Sequence, residues 1–440
     1  MNRYSVLPLL LFFLLSLSCG GESKPNVVLI IVDTLRSDHL GCYGYHRNTT
    51  PAMDSLAAEG TRYACVTAGE PWTLPSMATI FTGFYPLEHN ARRRGDSYFG
   101  IASEAFTLTE LMHSEGYATA AFFNVIFMNQ DFGFHQGFDH FDCYSSLGSS
   151  SDRNAEQTVD AALEWLDGEY GGEPLFLAVH FYDPHLTYTP PDSFADLWRD
   201  TSYAGEFDSS WGVREAVVNV NKGVIGLNDD DLYNLEALYD GEIAYTDNEI
   251  GRLLAGLRER GITDNAIVVL VADHGEEFKD HQKMGHAHSL YQELLNVPMI
   301  ICGEGFEPSS VCSLNVTQAD IFPTVCAWAG IDYEGATSGV NLLSGDVSAE
   351  RSIPAGMNME TGYVVTSRRR NLKLHLFDHG TVAFMFDLSD DPGEHEPLED
   401  VDEELREAAA FYLATPPMYN PPAIPVENSF TEALHNLGYI

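Results

Sequence analysis

Basic residues are scarce in this chain of 440 residues. Lys and Arg number 23 against 65 Asp and Glu, which gives a formal net charge of −42. A surface this acidic repels nucleic acids and anionic lipid headgroups, so the composition argues against both as partners. In a salty medium, dissolved ions would screen the repulsion between the acidic side chains. An anionic substrate would need a local positive site, and a bound divalent cation is the simplest one.

Cysteine is also sparse, and its spacing excludes one kind of metal site. None of the cysteines forms a Cys-x-x-Cys pair, so a structural zinc cluster is not expected. Export would permit disulfides, with Cys302, Cys312 and Cys326 as the nearest candidates, although buried free thiols fit equally well. The chain lacks repeats and low-complexity tracts, and 45% of its residues are hydrophobic, enough for a large folded core.

The apolar run near the N-terminus is too short to span a bilayer. Arg3 precedes a mostly apolar run of about twelve residues, Val6 to Leu17, which is typical of an export signal. Cys19 follows where a bacterial lipoprotein is cleaved and acylated; the alternative is an ordinary secretory peptide cut nearby. We predict a signal peptide over residues 1–19, a linker over 20–25, and export to the periplasm or cell envelope with a lipid anchor at Cys19.

Continuous apolar runs alternate with helical patterns between residues 26 and 350. Runs such as Asn26 to Val32 are rich in β-branched residues, which favours strands buried on both faces of a parallel sheet. The alternation predicts an α/β fold with a doubly wound, mostly parallel sheet. Strands are predicted over 26–32, 118–123, 175–181, 266–271 and 297–301. Helices are predicted over 51–60, 75–81, 153–166, 230–258 and 319–329. A further helix is predicted to end at residue 116.

The pattern changes beyond Arg351. Short segments over 363–366, 372–376 and 383–386 are separated by polar turns, which favours antiparallel strands. A surface helix over 402–413 and a Pro-rich tail follow. We therefore predict a catalytic domain over residues 26–350, and a C-terminal subdomain with a small antiparallel sheet over 351–440.

Acidic residues follow three of the predicted strands. Asp33 comes after the first strand, Asp183 after the third, and Asp273 after the fourth, directly before His274. Ligands of open α/β sheets bind at the carboxyl ends of the strands. A lone Asp there is usually a cap or turn former. Asp33 with Asp273 and His274, however, offers two carboxylates and one imidazole, which predicts a divalent metal site.

A hydroxyl stands just before a predicted helix. Thr73 lies two residues before Pro75, and Pro75 is in the first turn of the predicted helix. Backbone N–H groups and the helix dipole favour a developing anion there. A hydroxyl bound to a metal can lose its proton and attack an ester centre. Thr73 is therefore a candidate nucleophile and metal ligand, and a plain N-cap is the alternative.

These motifs, taken in order, resemble the sulfatase family of the alkaline phosphatase superfamily. The resemblance covers roughly Lys24 to the C-terminus, and the ordered set is specific although each motif alone is weak. It implies an alkaline-phosphatase-like fold and hydrolysis of an anionic ester. The matching segments are Asn26–Arg36, Thr73-x-Pro-Ser with Thr82-Gly83, Gly116-Tyr117, Phe132–Asp139, Asp183-Pro-His185, Tyr239–Asp247, Asp273-His274-Gly, Tyr291-x-Glu293-x-x-x-Val297-Pro298, Phe386–Glu394 and Leu437–Ile440.

The chain departs from the sulfatase pattern at the nucleophile. That position is normally Cys or Ser oxidised to formylglycine, and Thr73 cannot give this aldehyde. Met77 stands where the motif has Arg, Thr34 replaces the second Asp of a pair, and a Lys-x-x-x-Tyr motif is absent. Losing the Arg and the Lys removes two positive contacts to a sulfate.

The remaining pattern is more similar to the phosphodiesterase and phosphoethanolamine-transferase branches of the superfamily. These branches pair a Thr nucleophile with Asp and Asp-His ligands. His274 in place of an Asn ligand favours zinc or manganese, with calcium or magnesium as alternatives and the number of ions open.

Three histidines are further catalytic candidates. His185 resembles the substrate-contacting His of the Pro-His motif and would hold a nonbridging oxygen or protonate a leaving group. His286 and His288 stand where the Lys motif is missing, and would replace that Lys or bind a second metal ion together with Asp183. Each is alternatively a hydrogen-bonded or surface histidine.

The residues and the resemblance together predict a metal-dependent hydrolase of sulfate or phosphate esters that forms a covalent Thr73 intermediate. Phosphate esters are expected to be preferred, because Thr73 lacks the second hydroxyl with which a formylglycine hydrate expels sulfate. Two alternatives stay open: transfer of the group to an alcohol acceptor, and a catalytically inactive, lipid-anchored binding protein.

Overall fold

A computed structural model describes residues 24–144, 153–205, 207, 212–359, 362–377 and 380–425. The predicted signal peptide, the Cys19 anchor and the end of the tail lie outside the described residues. Within the described part, no helix combines the length and the apolar composition needed to cross a membrane.

Among the described residues, eight strands form the central sheet. They are β1 (Asn26–Val32), β2 (Thr61–Thr67), β3 (Ala118–Phe123), β4 (His140–Cys143), β5 (Leu175–Phe181), β6 (Ala266–Ala272), β7 (Met299–Cys302) and β8 (Ser310–Thr317). Their order is β8-β2-β7-β6-β1-β5-β3-β4. Only β7 runs antiparallel to its neighbours in this sheet of the described residues. The predicted α/β fold with a mostly parallel sheet is therefore confirmed.

Helices cover the sheet and connect its strands. The longest, α8, begins after Asn228, whose side chain accepts hydrogen bonds from the first-turn N–H groups of Asp230 and Asp231. The α-helices are α1 (Pro51–Glu59), α2 (Thr73–Thr82), α3 (Pro86–His89), α4 (Leu108–Ser114), α5 (Ala155–Gly168), α6 (Asp192–Ala195), α7 (Gly212–Asn221), α8 (Asp229–Glu259), α9 (Gln292–Leu295), α10 (Ile321–Trp328) and α11 (Glu403–Leu413). Short 3₁₀ turns lie at Ser37–His39, Gly41–Tyr43, Ile126–Met128, Gln130–Phe132, Ile262–Asn265 and Gln318–Asp320.

The sequence analysis missed three strands of the central sheet. In β2, buried and half-exposed residues are mixed, and Arg62 and Cys65 interrupt the apolar pattern. The strands β4 and β8 lie at the two edges of the sheet, and β4 has no fully buried residue. Such strands lack the continuous apolar run that marks a strand buried on both faces.

A second sheet follows in the C-terminal part. The antiparallel strands β9 (Ile353–Met359), β10 (Gly362–Arg369), β11 (Leu372–Phe377) and β12 (Val382–Asp387) lie in that order. The last three correspond to the predicted strands. The prediction missed β9, which contains Pro354 and Gly356, residues that are depleted in strands. The helix α11 buries Leu405 and Ala409 against this sheet.

A buried ion pair joins the second sheet to the larger part of the molecule. The Lys373 ammonium donates to the Leu290 carbonyl at 2.6 Å and to Glu394 at 3.0 Å. Glu394 also lies 2.6 Å from His375 and accepts the backbone N–H of Gln292 at 2.7 Å. Burial alone would raise the pKa of Glu394, but Lys373 and His375 outweigh it and lower that pKa to about 2.

All six cysteines of the described residues are free thiols. Cys302 ends β7 and Cys312 lies in β8, and β2 separates these two strands in the sheet. Neighbouring strands lie about 4.8 Å apart. A pair two strands apart therefore exceeds the roughly 7 Å limit for a disulfide.

Candidate active site

Asp33, Asp273 and His274 converge at the carboxyl ends of two neighbouring strands. In the sheet, β1 and β6 are parallel, and Val32 lies opposite Ala272, so Asp33 and Asp273 leave the sheet side by side. One donor atom from each of the three residues lies within 4.8 Å of the others. His274 Nε2 lies 3.5 Å from Asp33 Oδ1 and 3.3 Å from Asp273 Oδ2.

Backbone groups orient this cluster. Asp273 Oδ1 accepts the N–H groups of Thr34 at 3.1 Å and His274 at 2.8 Å. His274 Nδ1 donates to the Gly275 carbonyl at 2.9 Å, which leaves the Nε2 lone pair free to bind a metal. Thr34 has a left-handed φ of 53°, an uncommon conformation for a β-branched residue, and the Tyr239 hydroxyl donates to its carbonyl at 2.7 Å.

The three residues fit a divalent cation. Burial raises the pKa of Asp33 well above its usual range, and the charge of Glu276 adds to this rise. Burial also raises the pKa of Asp273 to about 7 and lowers that of His274 to about 4. Asp273 Oδ2 is buried and accepts no hydrogen bond within the described residues. Two buried carboxylates and a neutral imidazole are a ligand set for a hard-to-borderline cation, which would favour the ionised carboxylates.

Thr73 lies at the start of α2, beside this cluster. The helix begins at Thr73 itself, two residues earlier than predicted, and its hydroxyl lies 3.4 Å from His274 Nε2. The N-cap residue Trp72 has an extended backbone and makes no side-chain capping hydrogen bond, so no cap side chain occupies the first-turn N–H groups. Met77, which replaces the Arg of the sulfatase motif, is fully buried in the apolar core.

His185 and His286 approach the cluster from other segments. The ring of His286 lies 4.5 Å from that of His274 and 4.9 Å from that of His185, measured between ring centres. The Nδ1 atom of His185 donates to the Leu186 carbonyl at 2.8 Å. Both histidines and Trp72 line a cavity of about 230 Å³.

His288 has a different environment. Its Nε2 lies 2.7 Å from Glu277 and its Nδ1 lies 2.9 Å from the His286 carbonyl, so both ring nitrogens contact protein groups, and His288 is not among the residues that line the cavity. Over the described ranges, Asp33, Asp273 and His274 are the single group of three such donors close enough to share a metal. Asp183 instead lies near Glu242, whose pKa is raised first by burial and then by the charge of Asp183.

Sequence analysis missed two buried residues of the site. Glu276 Oε1 lies 3.0 Å from His286 Nδ1, and burial raises the pKa of Glu276 to about 8. His180 Nε2 lies 3.4 Å from Asp33 Oδ2, and burial lowers the pKa of His180 to about 4. A polar residue inside the apolar run of β5 was the available signal for His180. For Glu276, the signal was its position two residues after His274.

A third missed residue, Glu70, holds the segment before the nucleophile. Its buried carboxylate accepts the indole N–H of Trp72 at 2.8 Å and the hydroxyl of Tyr363 at 2.7 Å. Burial raises the pKa of Glu70 to about 7. Because Tyr363 lies in β10, this carboxylate links the C-terminal sheet to the residue next to Thr73.

A helix forms one wall of the cavity. The sequence analysis left residues 192–228 without regular structure, but they include α6 and α7. Val217, Val218 and Asn221 of α7 line the cavity together with His185 and His286. Part of the cavity wall is therefore a helix face.

Comparison with known proteins identifies the family. The family model described as Sulfatase matches residues 25–331, more than half of the chain. The chain belongs to the sulfatase family. The protein is therefore a hydrolase of ester bonds, and a metal requirement is general in this family.

Proteins similar to this chain include two that are named as sulfatases and, by fold, a phosphonate monoester hydrolase. An arylsulfatase of Clostridium perfringens is 26% identical over 75% of this chain and 79% of its own length. A delta 4,5-hexuronate-2-O-sulfatase of Bacteroides thetaiotaomicron is 24% identical over 86% of each chain. The crystal structure of the phosphonate monoester hydrolase of Agrobacterium radiobacter superimposes with a TM-score of 0.70 at 20% identity, covering 89% of this chain and 95% of that one.

Proposed function

We propose that this sulfatase-family hydrolase cleaves its ester through a covalent Thr73 intermediate, with a divalent ion held by Asp33, Thr73, Asp273 and His274. The observation that carries the proposal is the position of the Thr73 hydroxyl, 3.4 Å from His274 Nε2 at the buried start of a helix. The alternative of a plain N-cap fits Thr73 less well, because Trp72 is the N-cap residue and Thr73 is the first residue of the helix.

The residues divide the reaction among them. The Thr73 hydroxyl gives its proton to water, and its oxygen attacks the phosphorus or sulfur atom, forming a bond while the bond to the leaving oxygen breaks. When bound, the divalent ion lowers the pKa of the Thr73 hydroxyl and stabilises negative charge on the transferred group. The N–H groups at the start of α2 hold the nonbridging oxygens.

A histidine assists the leaving oxygen. His286 lines the cavity, and Glu276 at its Nδ1 fixes the ring, so proton exchange with the leaving oxygen runs through Nε2. His185, whose ring centre lies 4.9 Å from that of His286, holds a nonbridging oxygen. Water then attacks the covalent ester and releases the acid, and the Thr73 oxygen regains a proton.

Phosphate esters are the preferred substrates in this proposal. A covalent Thr73 ester can be released only by attack at the central atom, a step that phosphoenzymes carry out routinely. The core position of Met77 supports the same preference, because no arginine reaches a sulfate from that site. The similarity to a phosphonate monoester hydrolase is consistent with this choice.

A panel of aryl sulfate, phosphate monoester, phosphate diester and phosphonate monoester substrates, each with Zn²⁺, Mn²⁺, Ca²⁺ and Mg²⁺, tests the proposal. We expect the highest kcat/KM for a phosphorus ester with Zn²⁺ or Mn²⁺. An aryl sulfate with a higher kcat/KM than every phosphorus ester would overturn the preference, and absence of turnover on all four esters would overturn the proposed function.

Replacing His286 with alanine is expected to lower kcat by about 10²- to 10⁴-fold, the usual contribution of a general acid or base. Replacing His288 is expected to cost at most about tenfold, because Glu277 holds this ring away from the cavity lining. Steady-state kinetics with a phenol leaving group of high pKa would show the difference most clearly. Equal losses in both variants would show that His286 has no special role.

A further inference from the structure

We infer that the cavity next to Thr73 contains a subsite for a second anionic group of the substrate, and that Arg93 builds it. The inference rests on the proposed function, because it assumes that the ester is bound in this cavity. The same cavity is lined by Trp72, His185 and His286 and by Arg93 and Asn358. A ligand that fills the cavity therefore touches both the catalytic histidines and a guanidinium group.

The charge of Arg93 is only weakly compensated. Its Nε donates to the Gly95 carbonyl at 3.0 Å, which leaves the two terminal nitrogens to other partners. The carboxylate that pairs with it belongs to Asp96, 3.8 Å away and fully exposed to solvent. Exposed pairs of this kind contribute little energy, so a ligand anion can displace Asp96 at small cost.

Each of the three consecutive arginines lies over an aromatic ring. The guanidinium of Arg92 lies over Tyr363, that of Arg93 lies 5.6 Å from the ring centre of Tyr98, and that of Arg94 lies over Phe99. Of these three consecutive arginines, Arg93 is the one that lines the cavity. The other two keep positive charge near it in a chain whose formal net charge is −42.

Asn358 fixes the backbone of this segment. Its side-chain N–H donates to the Arg93 carbonyl, and its Oδ1 accepts from Arg92 Nη1 at 3.3 Å. Arg93–Arg94 and Ser97–Tyr98 pair as a short antiparallel hairpin. Asn358 lies in β9, so the C-terminal sheet positions this hairpin against the cavity. The guanidinium is therefore presented by an ordered segment that is tied to the sheet.

The chemistry of the guanidinium defines the ligand class. Its planar fork of donors matches a carboxylate or a sulfate, to which it binds with two parallel hydrogen bonds. The reacting ester group is held by Thr73 and the metal ligands, so the anion at Arg93 belongs to another part of the same molecule. The predicted substrate is an ester that carries a second negative group, either a carboxylate or a sulfate.

Binding of matched esters tests this inference independently of turnover. Three aryl phosphate esters would differ in one substituent: a CH₂-carboxylate, a CH₂-sulfonate or an uncharged CH₂-carboxamide. Their Kd values would be measured by calorimetry with the full chain, in its metal-loaded form and carrying Thr73→Ala. We expect the tighter-binding of the two charged esters to bind at least about tenfold more tightly than the carboxamide. If that ester is the carboxylate, the natural group is a carboxylate; if it is the sulfonate, the natural group is a sulfate.

Arg93→Gln in the same background should bring the charged and uncharged esters to nearly equal Kd, and Arg93→Lys should retain part of the difference. Arg258→Gln, an exposed arginine paired with Glu59 outside the cavity lining, should leave the difference intact. An unchanged difference in Arg93→Gln, an equal loss for all three esters, or no binding of any ester would overturn the subsite. Turnover by the Thr73→Ala protein would instead contradict the proposed nucleophile.

Discussion

Replacing Thr73 with alanine is expected to lower kcat/KM by on the order of 10⁴-fold or more, because loss of a covalent nucleophile typically lowers the rate by this much. The hydroxyl lies 3.4 Å from His274 Nε2, whereas the nearby hydroxyl of Ser76 donates to the Glu70 carbonyl at 2.6 Å. The fold should survive, because the substitution removes few atoms from the first turn of a helix. Steady-state kinetics and thermal unfolding of both proteins measure the two effects.

Two variants serve as controls for Thr73. Thr73→Ser keeps a hydroxyl and should retain much more activity than the alanine variant. Thr82→Ala removes an equally buried hydroxyl at the far end of the same helix, where it donates to the Ala78 carbonyl, and should stay close to wild type. Turnover by Thr73→Ala within about tenfold of wild type would reject Thr73 as nucleophile.

Removal of the divalent ion is expected to abolish turnover, and readdition of Zn²⁺ or Mn²⁺ should restore it. The reason is electrostatic: without a cation, Asp33 and Asp273 lie buried with raised pKa values and poorly compensated charge. Asp273→Asn and His274→Ala should lower both the metal content and kcat/KM, the latter by at least about 10²-fold. Elemental analysis and kinetics after chelation measure these losses.

Asp247→Asn is the matched control for the metal ligands. Asp247 is as deeply buried as Asp273, but its carboxylate accepts the backbone N–H groups of Ala52 and Met53 at the start of α1. This variant should keep its metal content, whatever it costs in stability. Full activity in a preparation that is free of metal would mean that Asp33, Asp273 and His274 form only a hydrogen-bonded cluster.

Much of the fold could be predicted because its central strands are buried on both faces. The run Asn26–Val32 has no exposed face, and its pattern therefore identifies it without a partner. The strand Ser310–Thr317 alternates between half-buried and exposed residues at its start and lies at a sheet edge, where the sequence pattern does not distinguish a strand from a loop. The C-terminal strand Ile353–Met359 was missed for another reason. Its Pro and Gly residues disfavour a strand locally, but antiparallel pairing with Gly362–Arg369 stabilises it.

The central residues of the candidate site were predicted from the sequence alone. Asp33 and Asp273 follow parallel strands, whose carboxyl ends meet at one edge of the sheet, and His274 and the start of α2 accompany them. The other side chains that reach this edge could be identified only from the three-dimensional structure. His286 and His288 are two residues apart and equivalent in sequence, yet Ala287 between them has a left-handed φ of 65°, and one ring lines the cavity while the other contacts Glu277. Arg93 reaches the same cavity on a hairpin held by Asn358, a residue more than 260 positions away, and local sequence patterns carry no information on such long-range contacts.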